Sequence, residues 1–252
     1  MWWRVDRKPV VDRGQVTWSF GCSSSGDSLN WFMTAYLKPI WDSYLEHRNL
    51  ELLRDDILSY PWYEPPKTAD ESLLLRAVQH ADVSAVRLLL SMGESPNLPA
   101  LSGFTLLHQA VDAVPGAGSV DEGSCIQFNL KRDAALDVLT ALLEGGADPN
   151  VQGMDGTPLH RAAGSGVVDS ARSLLAYGAD LEARMLVDGE LTPLLHAALS
   201  GHPQMVQFLL DSGANRFAMS RTSLTNPPAT LRELLKTSKV ANADEILAIV
   251  DR

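Results

Sequence analysis

The sequence predicts a mainly α-helical solenoid of helix-turn-helix units with a small aromatic-rich N-terminal domain, α or α+β, and three observations carry that expectation. A Thr-Pro-Leu motif starts at Thr157 and again at Thr192, 35 residues on. In each copy a glycine, Gly178 or Gly213, follows the threonine by 21 residues, after an apolar run at helical spacing. All six tryptophans (Trp2, Trp3, Trp18, Trp31, Trp41, Trp62) fall before residue 64, so the opening segment is built from different material than the repeats.

The non-repeating segment is read as residues 1–70. Val16-Thr17-Trp18-Ser19-Phe20 alternates like a short strand, and Leu29, Phe32, Met33, Tyr36 and Leu37 form a helical stripe behind a Ser or Asp cap. Pro39 opens a second helix bearing Ile40, Trp41, Tyr44 and Leu45, and Leu52, Leu53 and Ile57 mark a third. Pro61, Pro65 and Pro66 form the junction. These aromatics are expected to make a small core docked on the first repeat.

Residues 71–252 are read as the array. Threonine hydroxyls at 157 and 192 cap the first helix of each unit, and Pro158 and Pro193 occupy its first turn, where a missing N–H costs nothing. Leu159, Ala162 and Ala163 make a narrow inward stripe, Val167, Val168, Ala171, Leu174 and Leu175 a second one, and glycine ends the second helix. Projected backwards, the register finds a divergent unit from Ser72 to Gly93. It finds another beginning Thr105-Leu106-Leu107-His108, whose Gly146 comes 41 residues later. Its two helices are therefore separated by a 20-residue insert, at about 114–133. The tail, about 220–252, shows Leu231, Leu234 and Leu235 and then Ile246, Leu247, Ile249 and Val250, two short helices that close the array as a degenerate cap.

Thr-Pro-Leu-His-x-Ala-Ala followed by Gly-Ala-Asp resembles the ankyrin repeat, strongly over residues 71–219 and weakly beyond. The resemblance implies that His108 and His160 bond within their own turn and to the adjacent repeat. It also implies a non-catalytic, protein-binding array that uses hairpin tips and first-helix faces, the concave side serving as the palm. Carried over by register, the tip residues are Phe104, Met154, Asp155, Asp188 and Glu190, and the helix-face residues include Gln109, Asp112, Arg161, His196 and Leu199. Leu195 fills the motif's histidine slot in the fourth repeat, which moves His196 onto the palm.

Composition narrows the function classes. A net charge of -10 disfavours a phosphate-tracking nucleic-acid binder, which needs a basic surface. The charge is uneven: residues 71–219 hold 8 basic and 17 acidic side chains, a balance of -9. That balance suits a basic partner. The two cysteines, Cys22 and Cys125, are too few for a disulfide framework, and no apolar run suggests a signal or a membrane span, so a cytoplasmic protein is expected. Cys22 stands where a G-x-S-x-G elbow around Ser24 would need glycine, and no H-E-x-x-H or C-x-x-C occurs, so neither enzyme, metal nor cofactor is expected. The leading reading is an inhibitor or immunity-type protein, monomeric before it meets its partner. A scaffold, adaptor or host-targeting effector is the alternative, and a small enzymatic or ligand-binding domain within residues 1–70 is the reading from another class.

Overall fold

Threonine, serine and proline decide where each first helix begins, and that decision repeats along the array. The computed structural model describes residues 10–12, 15–17, 37–59, 69, 72–99, 103–114, 132–153, 155–186, 190–220, 229–237, 240 and 242–251. The chain divides into two compact units, Met1–Tyr63 and Glu64–Arg252.

In the first unit, β1 (Val10–Asp12) and β2 (Gln15–Thr17) pair antiparallel with Val11 opposite Val16. The expected strand ran to Phe20; residues 18–20, and residues 29–36 of the expected first helix, lie outside the described residues. Helix α1 (Lys38–His47) carries Pro39 in its first turn, and α2 (Leu50–Leu58) is capped by Asn49, whose Oδ1 accepts from the N–H groups of Glu51 and Leu52. The two helices pack on each other and bury Ile40, Trp41, Tyr44, Leu53 and Ile57, with the Trp41 and Tyr44 rings 5.1 Å apart.

In the second unit the first helices are α3 (Leu73–Gln79), α5 (Leu106–Asp112), α7 (Pro158–Ser165) and α9 (Pro193–Leu199). Their partners are α4 (Val83–Ser91), α6 (Arg132–Glu144), α8 (Val168–Ala176) and α10 (Pro203–Asp211). Each first helix packs on the next first helix and each second helix on the next second helix, giving two stacked layers with the core between them. Leu74, Leu107, Leu159 and Leu194 are fully buried at equivalent positions, and Ala110, Ala162 and Ala197 let neighbouring helices approach. The glycines that end the second helices, Gly93, Gly146, Gly178 and Gly213, all have φ between +88° and +99°, a conformation a side chain would strain.

Structure adjusts the insert. Val114 is buried against Ala135 and Val167, and α6 already starts at Arg132, so Val114, Arg132 and Asp133 belong to the repeat. The inserted residues narrow to 115–131, which lie outside the described residues.

The tail holds two helices, α11 (Leu231–Thr237) and α12 (Ala243–Val250), preceded by a two-stranded hairpin of β3 (Met219–Ser220) and β4 (Ala229–Thr230). Helix α11 stacks on α9 and α12 on α10, so the tail continues both layers. Leu231, Leu234, Leu235, Ile246 and Val250 are the buried apolar side chains of these two helices.

Candidate functional site: the first-helix face and its tips

Capping fixes the geometry of the palm before any partner is considered. In the second repeat the Thr105 N–H donates to His108 Nδ1 at 3.3 Å, and in the third the Thr157 N–H donates to His160 Nδ1 at 3.1 Å. Because Nδ1 accepts, the proton sits on Nε2. His108 Nε2 donates to the carbonyl of Gly156 and His160 Nε2 to that of Leu191, each at 3.0 Å, so each imidazole ties its own helix start to the next tip. Both rings are fully buried. Burial pushes both pKa values down, that of His160 to about 4, against the partial support of the backbone carbonyls. The histidine roles implied by the resemblance are therefore present.

Four of the residues singled out by register meet in one cluster. Arg161 on α7 donates from Nε to Asp112 Oδ1 (3.0 Å) and from Nη2 to Asp112 Oδ2 (2.5 Å), a two-pronged grip on the last residue of α5. Its Nη1 reaches back to Asp155 Oδ2 at 2.9 Å, on the tip of its own repeat. The guanidinium also lies over the Phe104 ring, 5.1 Å from the centroid, and that ring is 5.8 Å from the His108 ring. Burial opposes the charge of Arg161, but Asp112 and Asp155 outweigh it and hold its pKa above the ordinary value. Arg161 and Asp112 are largely covered, with side chains 24% and 20% exposed, while Asp155 is 47% exposed. Register alone presents Arg161 as an open contact residue; the structure commits it to its own repeats.

The remaining positions are more scattered. Gln109 and Leu199 are half-buried. His196 is half-buried too: a Cβ added to Gly164 would lie 2.6 Å from its Cε1, so the ring rests on the bare backbone of α7, 6.4 Å from the His160 ring. Glu190 is exposed at φ +58°. Met154 and Asp188 lie outside the described residues.

Charge follows the layers. The second helices hold Asp133, Asp137, Glu144, Asp169 and Asp211 against Arg87, Arg132 and Arg172, and the turns behind them add Asp148, Asp180 and Glu182. The first helices carry only Asp112 against Arg76 and Arg161. Among the described residues the acids of the repeats thus lie mainly on the second helices and the turns that follow them, and on the first-helix side those beyond Asp112 are the tip residues Asp155 and Glu190.

Sequence reasoning missed the devices that join the tips. Arg184 Nη1 donates to the carbonyls of Glu190 (3.0 Å) and Met219 (2.6 Å), linking the fourth tip to the hairpin of the tail. Asn97 bridges Gly146 and Asp148, and Asn150 bridges Gly178 and Asp180, one repeat further along. The recurrence of Pro-Asn after Gly at residues 96–97 and 149–150 was the available signal.

The ankyrin-repeat family profile, in three copies, matches residues 130–218. The array is an ankyrin-repeat array. It is 35% identical over 131 residues to the B-cell lymphoma 3 protein homolog of Mus musculus, covering 52% of this chain and 25% of that protein. It is 36% identical over 119 residues to the ARF GTPase-activating protein Git of Drosophila melanogaster, covering 43% and 16%. Protein PhlB of Serratia liquefaciens is 42% identical over 80 residues, covering 31% and 35%. The chain thus spans a quarter of the first of these relatives and a smaller part of the second. Ankyrin arrays are protein–protein interaction modules and are generally non-catalytic. Among the described residues no helix is long and apolar enough to cross a membrane.

Proposed function

We propose that this ankyrin array is an inhibitor or immunity-type protein that binds a basic partner enzyme through the palm and tips of repeats two to four and neutralises it without chemistry of its own. The observation that carries the reading is the Arg161 cluster. It holds an aromatic ring and a half-exposed carboxylate at one place on the first-helix side, already ordered by ion pairs before a partner arrives. A surface ordered in advance loses less conformational entropy on binding, which favours tight association. The acidic balance of the repeats supports a basic partner, because opposite charge speeds encounter even when the contact patch itself carries little of it.

The test is capture of whatever the tagged full chain retains from its own cells, at low and high salt, beside a Phe104→Ala variant. On this reading one enzyme is retained by the original, is weakened by Phe104→Ala, and loses activity when the purified, monomeric chain is added. Several proteins held together with their activities intact would favour a scaffold or adaptor, and equal retention by the variant would remove the palm from the account.

A further inference from the structure

Large apolar side chains stand uncovered where the fourth tip meets the tail hairpin. Along residues 184–186, and again along 217–220, exposed and buried positions alternate, so Arg184 and Leu186 are exposed on one segment and Phe217 and Met219 on the other. Leu186 is 79% exposed, Phe217 76% and Met219 50%, while Met185 and Ala218 between them are buried. Arg184 ties the two segments together, because its Nη1 donates to the Met219 carbonyl at 2.6 Å as well as to that of Glu190. Elsewhere in the chain arginine is stacked on aromatic rings: Arg48 lies over Tyr44, Arg161 over Phe104 and Arg172 over Phe208, at 5.8, 5.1 and 5.0 Å from the centroids. Among the described residues Arg184 lies over no ring and pairs with no carboxylate, and Phe217 has no ring beside it.

We propose that this patch receives an aromatic side chain carried by a short segment of a protein partner. A guanidinium is weakly hydrated and attracts the face of a ring, so Arg184, anchored through one nitrogen, offers what its three counterparts already give to rings of this chain. Phe217 and the sulfur of Met219 favour a ring over an aliphatic side chain for the same reason of polarisable contact. Size selects the occupant. At these exposures the three apolar side chains offer a few hundred Å² of surface, the range in which the largest patch of a monomer is often functional. That is half or less of the roughly 800 Å² that each member of a stable protein pair buries, which fits one anchoring side chain and not a second copy of this chain. The inference rests on the reading of the array as a binding module and carries its surface beyond the palm to the tail hairpin.

The probe is N-acetyl-tryptophanamide titrated into the full chain, with N-acetyl-leucinamide as the aliphatic comparison and binding followed by NMR shifts of the backbone amides and of the Arg184 Nε–H. Two variants each replace one exposed apolar side chain: Phe217→Ser in the patch and Leu58→Ser on α2, where Leu58 is 59% exposed. The expected result is saturable shifts at Arg184, Leu186, Phe217 and Met219, with the aromatic amide bound about threefold or more tightly than the aliphatic one. Phe217→Ser should weaken that binding by about threefold or more and Leu58→Ser should leave it unchanged, with thermal melting confirming that both variants stay folded. Equal binding of the two amides, equal effects of the two variants, or shifts that fail to saturate would overturn the proposal. Dimerisation in sedimentation that Phe217→Ser abolishes would overturn it too, by making a second copy the occupant. Loss of the captured partner in Phe104→Ala alongside any of these failures would leave the palm as the binding face and remove only this patch from it.

Discussion

Arg161 and Asp112 face each other across the boundary between the second and third repeats as a two-pronged ion pair, Nε to Oδ1 at 3.0 Å and Nη2 to Oδ2 at 2.5 Å. Bidentate pairs of this kind are specific to the planar fork of arginine, and this one is mostly shielded from water. Arg161→Ala should therefore lower stability by about 1–3 kcal/mol, because it leaves a covered carboxylate without its partner. Arg161→Lys should recover only part of that loss. Urea denaturation of the single variants and of the double variant with Asp112→Ala checks it: a coupling energy near zero would mean that the pair contributes nothing between the repeats.

The buried histidines predict acid sensitivity. His160 has a pKa of about 4 in the folded chain against about 6.5 when unfolded, so below pH 6.5 the unfolded chain takes up the proton first. Its contribution is complete above pH 6.5 and is lost as the pH falls towards 4, by about 3 kcal/mol at full extent. His108 is shifted in the same direction by burial and adds to the effect. His160→Leu, which copies the Leu195 of the fourth repeat, should be less stable than the original at pH 7.5 but should lose less between pH 7 and 4.5. Parallel melting curves for the two proteins across that range would contradict the assignment.

The turn between α3 and α4 contains Ala81 at φ +48°, where the later repeats have Gly166 at +69° and Gly201 at +79°. A methyl group at positive φ costs about 1 kcal/mol. Ala81→Gly should stabilise the array by roughly 0.5–1 kcal/mol after allowance for the greater freedom of glycine in the unfolded chain. A lower melting temperature in the variant would show that the turn is not strained.

Helices α11 and α12 close both layers of the array by covering α9 and α10. Deleting residues 226–252 should uncover the apolar face of the fourth repeat and give an aggregating or partly unfolded protein. A soluble truncation with an unchanged melting temperature would deny the tail its capping role.

Much of the architecture was legible because a repeat states its rules several times. Thr157 and Thr192 taught the register, and a divergent first unit could then be found from Ser72 to Gly93 although it lacks the Thr-Pro-Leu-His run. The partner of Ser72 was not legible. Glu94 stands where Ala147, Ala179 and Ala214 stand in later repeats, and its buried carboxylate accepts from the Ser72 hydroxyl 22 residues earlier and from the Leu74 N–H at 3.3 Å. The cap of α11 was written more openly, as Thr230-x-x-Glu233, where Glu233 accepts from both the N–H and the hydroxyl of Thr230. At the site, register named Phe104, Asp112, Asp155 and Arg161 separately. It could not show that they join, because Arg161 and Asp112 lie 49 residues apart across the insert and their meeting depends on how adjacent first helices stack. Net charge was likewise readable as a sum but not as a distribution between layers.

The central claim is that a partner docks on the palm and tips of repeats two to four, and the kinetics of that association at two salt concentrations test it most directly. The comparison is between the original chain and a variant with Asp155, Asp188 and Glu190 all changed to Lys, each binding the partner captured by the original. The account predicts that the variant associates more slowly at low salt, that its association rate depends less on salt, and that Phe104→Ala mainly quickens dissociation. A triple variant that binds as fast and as tightly as the original at low salt would contradict the account and move the binding face away from the tips.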